Sequence, residues 1–165
     1  MAFVRKQISK DVARVRLENL CARSEHCEWE LKEKLKGWMI IGTDAVDILS
    51  ALHKARFYDD RRFASAFVRD KMMYNRWGRR KIAYGLMAKR IPRDIINEAL
   101  DEIDDNRYGE ILLEFLRGKA RAIKEGNSYE GRTKLFRAAA SRGYETDLIA
   151  KYIRSGEVWP DREDI

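Results

Sequence analysis

Apolar side chains recur along nearly the whole chain at steps of three, four and seven, the spacing of one face of an α-helix. At the centre, Phe63, Phe67 and Tyr74 form such a stripe, with Asp60 placed to cap its N-terminus. Asn75 and Gly78 interrupt it, and Ile82, Leu86 and Met87 form a second stripe. Pro92 suits the first turn of a third helix, where a missing N–H costs nothing. That helix carries Ile95, Ile96, Ala99, Leu100 and Ile103. The scheme recurs downstream: Ile111, Leu112, Phe115 and Leu116; then Leu135, Phe136 and Ala139; then Leu148, Ile149, Tyr152 and Ile153. Upstream it reads Val12, Val15, Arg16 and Leu20; then Leu31 and Leu35; then Ala45, Ile48, Leu49 and Leu52, capped by Thr43. No stretch alternates polar and apolar residues between turn dipeptides, so no strand is predicted.

The recurrence is a repeat. Gly78-Arg79-Arg80-Lys81-Ile82 matches Gly131-Arg132-Thr133-Lys134-Leu135, an offset of 53 that also pairs Ile91 with Tyr144, Ile96 with Ile149 and Leu100 with Ile153. A weaker copy upstream, at an offset near 51, pairs Leu31 with Ile82, Leu35 with Leu86 and Leu49 with Leu100. The predicted fold is all-α: three tandem three-helix repeats at 1–56, 57–104 and 105–156, then a tail at 157–165 that loses the helical period. A three-helix unit of about 50 residues buries too little surface to be secure alone. Stacking such units extends the core and predicts an elongated, curved array.

Charge singles out the middle. The whole chain carries +7, whereas residues 61–100 hold 11 basic and 3 acidic side chains. A one-signed segment between near-neutral ones attracts polyanions. Composition narrows the class further. Charged residues make up 37% and hydrophobic ones 45%, too apolar for a disordered chain and too charged for a membrane span. The basic N-terminus lacks the apolar run of a signal peptide. Two cysteines, Cys21 and Cys27, do not make a disulfide scaffold, which points to a reducing, cytoplasmic setting.

Enzyme chemistry finds little to stand on. Cys21, His26 and Cys27 are too few and wrongly spaced for zinc, and His53 belongs to another helix. There is no Gly-rich phosphate loop, no GxSxG and no HExxH. Asp59-Asp60 and Asp104-Asp105 precede helices, where acids cap free N–H groups. The expectation is therefore a non-enzyme with no cofactor and no metal. The basic constellation is the candidate site. Arg76, Arg79, Arg80, Lys81, Lys89 and Arg90 lie on or beside one short helix, with Trp77 and Tyr84 interleaved, and Arg61 and Arg62 belong to the helix before it. Guanidinium forks suit phosphate or carboxylate, and aromatics among them can stack on bases. For Trp77, a plug at a helix end is the simpler role.

The run Phe57-Tyr58-Asp59-Asp60-Arg61-Arg62-Phe63-Ala64-Ser65-Ala66-Phe67-Val68 resembles the signature of the RecX family, regulators of the RecA recombinase. The stretch from Trp77 to Ile91 is similar to that family's next motif. The family's Lys-Gly-aromatic or aliphatic turn departs here. It reads Lys36-Gly37-Trp38 in the first repeat, followed by a longer loop, and Lys89-Arg90-Ile91, without glycine, in the second. The resemblance implies a regulatory, non-catalytic protein that binds the recombinase filament on single-stranded DNA and mainly inhibits its ATPase, strand-exchange and coprotease activities. A cytoplasmic monomer with no membrane partner is expected. The alternative is a helical repeat protein whose main ligand is single- or double-stranded DNA. On either reading the candidate contacts, chosen for charge, are Arg61, Arg62, Arg76, Trp77, Arg79, Arg80, Lys81, Lys89 and Arg90.

Overall fold

The computed structural model describes residues 7–159. Among them are nine α-helices and no strand: α1 Lys10–Arg23, α2 Glu28–Gly37, α3 Thr43–Lys54, α4 Asp60–Met73, α5 Arg79–Ala88, α6 Arg93–Asp101, α7 Asp105–Ala122, α8 Tyr129–Ser141 and α9 Thr146–Arg154. The fold is all-α, and the helices follow one another in three triplets. Packing groups the chain differently, into two compact units. One comprises residues 7–66 and Leu86–Asn97; the other comprises Phe67–Gly85 and residues 98–159. Repeat and packing unit therefore do not coincide.

The triplets share one turn. After α2, the Ile40 N–H donates to the Leu35 carbonyl and the Met39 N–H to Lys36. After α5, Ile91 donates to Leu86 and Arg90 to Met87; after α8, Tyr144 donates to Ala139 and Gly143 to Ala140. This double closure is the Schellman motif, which needs a left-handed residue just past the helix end. Met39, Arg90 and Gly143 fill that place with φ of 62°, 59° and 90°. The residue after each one, Ile40, Ile91 or Tyr144, is buried and anchors the stop. In the first repeat the turn therefore falls at Met39 and not at Gly37, because burial of Leu35 and Ile40 fixes where the helix ends.

Two caps differ from expectation. The Asp59 carboxylate, not that of Asp60, accepts the N–H groups of Arg61 and Arg62 at the start of α4, at 2.8 and 3.0 Å. Asp60 instead accepts the Glu28 N–H at 3.0 Å, which serves α2, whose own N-cap Cys27 offers no side-chain bond. Thr43 is the first residue of α3, and the cap position belongs to Gly42 at φ 65°. Asp104 does cap α7, accepting from Asn106 and Arg107.

In the first unit the core is Ala13, Leu17, Leu31, Leu35, Ile40, Ile48, Leu49, Leu52 and Tyr58. Val12 and Val15 are exposed, because α1 turns its Ala13 and Leu17 face inward. In the second unit Tyr108, Ile111, Leu112, Phe115, Leu116, Leu135, Ala139, Tyr144, Ile149 and Ile153 are buried, with Tyr144 against Tyr108 and Phe115 at ring separations of 5.5 and 6.1 Å. Along α4 the inward positions are Phe63, Ala64, Val68 and Met72, spaced by fours from Ala64 onward. Tyr74 is 83% exposed, so the face is rotated from the one that the aromatic spacing predicts. Met87 is exposed too. Phe67 and Leu100 are half-buried. The start of the tail packs on α7: Val158 is buried, and Arg117 Nε donates to the Glu157 carbonyl at 2.9 Å. Residues 160–165 of the predicted tail lie outside the described residues.

Candidate functional site

The nine candidate residues divide between the two units. Arg61, Arg62, Lys89 and Arg90 belong to the first; Arg76, Trp77, Arg79, Arg80 and Lys81 belong to the second. In the first unit most of the charge is committed. Arg62 Nε meets Glu25 at 2.7 Å, and its terminal nitrogens reach the carbonyls of Arg56 and Phe57. Lys89 binds Glu30 at 2.7 Å and lies 5.5 Å from the Trp29 ring. Glu30 also meets His26 Nδ1 at 2.9 Å. Burial alone would raise the Glu30 pKa, but the hydrogen bonds from Lys89 and His26 outweigh it and hold the carboxyl below its usual range. Arg61 stands 3.9 Å from Asp94. Arg90 is exposed and makes no ion pair among the described residues.

In the second unit, the loop from Asn75 to Arg79 is built into the fold. The Gly78 N–H donates to the Arg142 carbonyl at 2.8 Å and the Arg80 N–H to Gly143 at 3.0 Å. Gly78 and Gly143 approach so closely that a Cβ on Gly78 would collide with the Gly143 backbone. The Tyr144 hydroxyl donates to the Arg76 carbonyl at 2.9 Å, and Arg142 donates to Asn75 at 3.2 Å. Arg76 itself has φ 54°, and its guanidinium is 3.8 Å from Glu114. Arg79 is the most committed of all. Its side chain is only 27% exposed, meets Asp105 at 2.5 Å and Glu145 at 3.6 Å, and stacks 4.0 Å above the Tyr108 ring. The Tyr108 hydroxyl accepts from the Arg79 N–H and donates to Glu145. Burial pushes the Tyr108 hydroxyl well above its ordinary pKa. Arg79 therefore has a structural duty that its charge did not reveal.

Arg80 and Lys81 remain as presented cations. Neither makes an ion pair among the described residues, and both line a shallow cleft of about 250 Å³ with Tyr84, Ala140, Ser141 and Gly143. Tyr84 is 65% exposed. Trp77 is half-buried, with its ring edge on Phe67 and the ammonium groups of Lys71 and Lys81 at 4.8 and 4.7 Å from its centroid. It positions cations by attraction to its π face. Tyr84 is the better presented ring for stacking. Sequence spacing missed Tyr108, Arg142, Gly143 and Glu145, which meet the basic loop from well over twenty residues away. The left-handed turn shared by the repeats is the one signal that could have pointed to Gly143.

The two thiols are not poised for chemistry. Cys27 is buried, and burial pushes its pKa up to about 11; burial also raises Cys21. No cluster of three metal-ligating side chains occurs among the described residues. None of the described helices is long and apolar enough to cross a membrane.

A family model described as the second three-helix domain of RecX matches residues 59–100. A regulatory protein RecX of Clostridium botulinum is 33% identical over 114 residues, covering 68% of this chain and 51% of that protein. A regulatory protein RecX of Prosthecochloris aestuarii is 30% identical over 125 residues, covering 76% and 80%. The chain spans about half the length of the Clostridium botulinum relatives it matches. Among solved structures, a RecX from Lactobacillus salivarius superposes with a TM-score of 0.78 over 88% of this chain and 95% of that one, at 20% identity, a likeness of fold.

Proposed function

This chain belongs to the RecX family of regulatory proteins, and from that premise we propose that it binds the RecA-type recombinase filament on single-stranded DNA and restrains its ATPase, strand-exchange and coprotease activities. The observation that carries the reading is the cleft edge of Arg80 and Lys81, two cations without ion pairs in the most basic segment of the chain. A surface of that sign is drawn to the filament, whose DNA phosphates give it a strong negative field. Arg90 supplies a further presented cation on the first unit. Tandem repeats let one molecule touch several filament subunits, which favours polymer over free monomer by multivalency. On this reading the protein works in the cytoplasm, as a monomer, by binding and without catalysis.

The test is a titration of the protein into preformed recombinase filaments with ATP turnover as readout. Reversing Arg80 and Lys81 to Glu should raise the half-inhibiting concentration about tenfold, since tenfold corresponds to about 1.4 kcal/mol of lost attraction. Unchanged inhibition by the folded double variant would remove this face from the mechanism. Should free DNA be the main ligand, the same variant would lose DNA affinity, and its salt slope would fall by about 0.7–0.9 per lost phosphate contact.

A further inference from the structure

A second surface of the second unit differs in kind from the basic cleft. Between α8 and α9 runs a groove of about 460 Å³ with Tyr129, Phe136 and Ile153 in its apolar lining and Arg132, Arg137 and Arg154 at its rim. Tyr129 opens α8 and is 86% exposed. A single exposed ring is ordinary, but Tyr129 adjoins Phe136 in one apolar groove, and such a contiguous patch marks a contact surface. No acidic side chain lines the groove. Arg132 Nε is held by Asn127 Oδ1 at 2.7 Å and Arg154 Nε by the Ala150 carbonyl at 3.2 Å, so each side chain is braced while its terminal nitrogens stay available. None of the three arginines makes an ion pair among the described residues. An apolar floor between braced guanidinium groups is complementary to a helix with leucine-type side chains on one face and carboxylates beside them.

We propose that the α8–α9 groove docks an acidic amphipathic segment of a partner protein. Bare nucleic acid matches it less well, because phosphates would meet the rim and leave the exposed Tyr129 and the half-buried Phe136 uncovered. The inference stands independently of the filament reading, because it rests on other residues and a different chemistry.

The test is fluorescence anisotropy with the full chain. The probe is a fluorescein-labelled synthetic helix bearing leucines at helical spacing flanked by glutamates. Controls are the same composition scrambled and a lysine-flanked version. The acidic helix should saturate, with both controls at least about tenfold weaker. Tyr129→Ser and Arg137→Glu, both at exposed positions, should each weaken it about fivefold or more with an unchanged melting curve. No saturation by the acidic helix, equal binding of the scrambled peptide, or indifference to both substitutions would overturn the proposal. So would displacement of the probe by oligothymidylate or by phosphatidylglycerol vesicles, if their own binding is lost in the same two variants.

Discussion

The Arg79 guanidinium lies on the Tyr108 ring and bridges Asp105 and Glu145; Asp105 is already in water, so replacing Arg79 chiefly deprives the half-buried Glu145 carboxylate and the buried Tyr108 ring of their partner. Arg79→Glu should lower stability by about 1–3 kcal/mol, the scale of hydrogen bonds to charged groups left unmade. Arg80→Glu, next to it, should stay within about 0.5 kcal/mol of the parent because its side chain faces water. Paired urea melts check both, and equal losses would show that the Arg79 network contributes nothing. A second residue-scale expectation concerns acid. Glu30 and Asp59 are both held below their ordinary values of 4.5 and 3.8, Asp59 chiefly by the Arg62 N–H. A carboxylate depressed by folding contributes stability that is present above its unfolded value and lost as pH falls through the folded one. Melts from pH 7 to pH 3 should therefore weaken below about pH 4.5, and Glu30→Gln should flatten that loss. An identical acid limb in the variant would contradict the assignment. Sequence could show that Arg79 is basic. It could not show that Tyr108 and Glu145 fold over it, since no local pattern links residues so far apart.

At the scale of the helix, the shared stop after α2, α5 and α8 places a left-handed residue before a buried one. Gly143 meets that demand without strain, whereas Met39 and Arg90 carry a Cβ into it. Met39→Gly and Arg90→Gly should each raise the unfolding free energy by about 1 kcal/mol, the relief of strain exceeding the added freedom of the unfolded chain. A loss on thermal melting at both positions would mean that the turn does not form as described. Helix number, order and type were legible because a 3.6-residue period runs through most elements, clearest in α6 and α9 and nearly absent in α1. Caps and faces were less so. Asp59 and Asp60 are chemically equivalent in sequence, and only the fold sends one to α4 and the other to α2. Large side chains also misled the register. Tyr74, Val12 and Val15 looked like core, while Ala13 and Ala64, too small to stand out in a pattern, are the residues that are buried.

For the molecule as a whole, the family is that of RecX regulatory proteins, and the structure sorts the cations into those that hold the fold and those that face outward. The segment from 61 to 100 was legible as the basic part of the chain, but not its division between two packing units or the commitment of Arg62, Arg79 and Lys89 to acidic neighbours. The groove between α8 and α9 was not legible either, because Tyr129 and Phe136 read as ordinary helix residues until their exposure is known. The most direct test of filament binding is cosedimentation of the unaltered protein with recombinase filaments, compared with bare single-stranded DNA at matched salt. The protein should pellet with filaments at concentrations and salt where bare DNA leaves it in the supernatant. Equal partition with bare DNA, or none with filaments, would contradict this expectation.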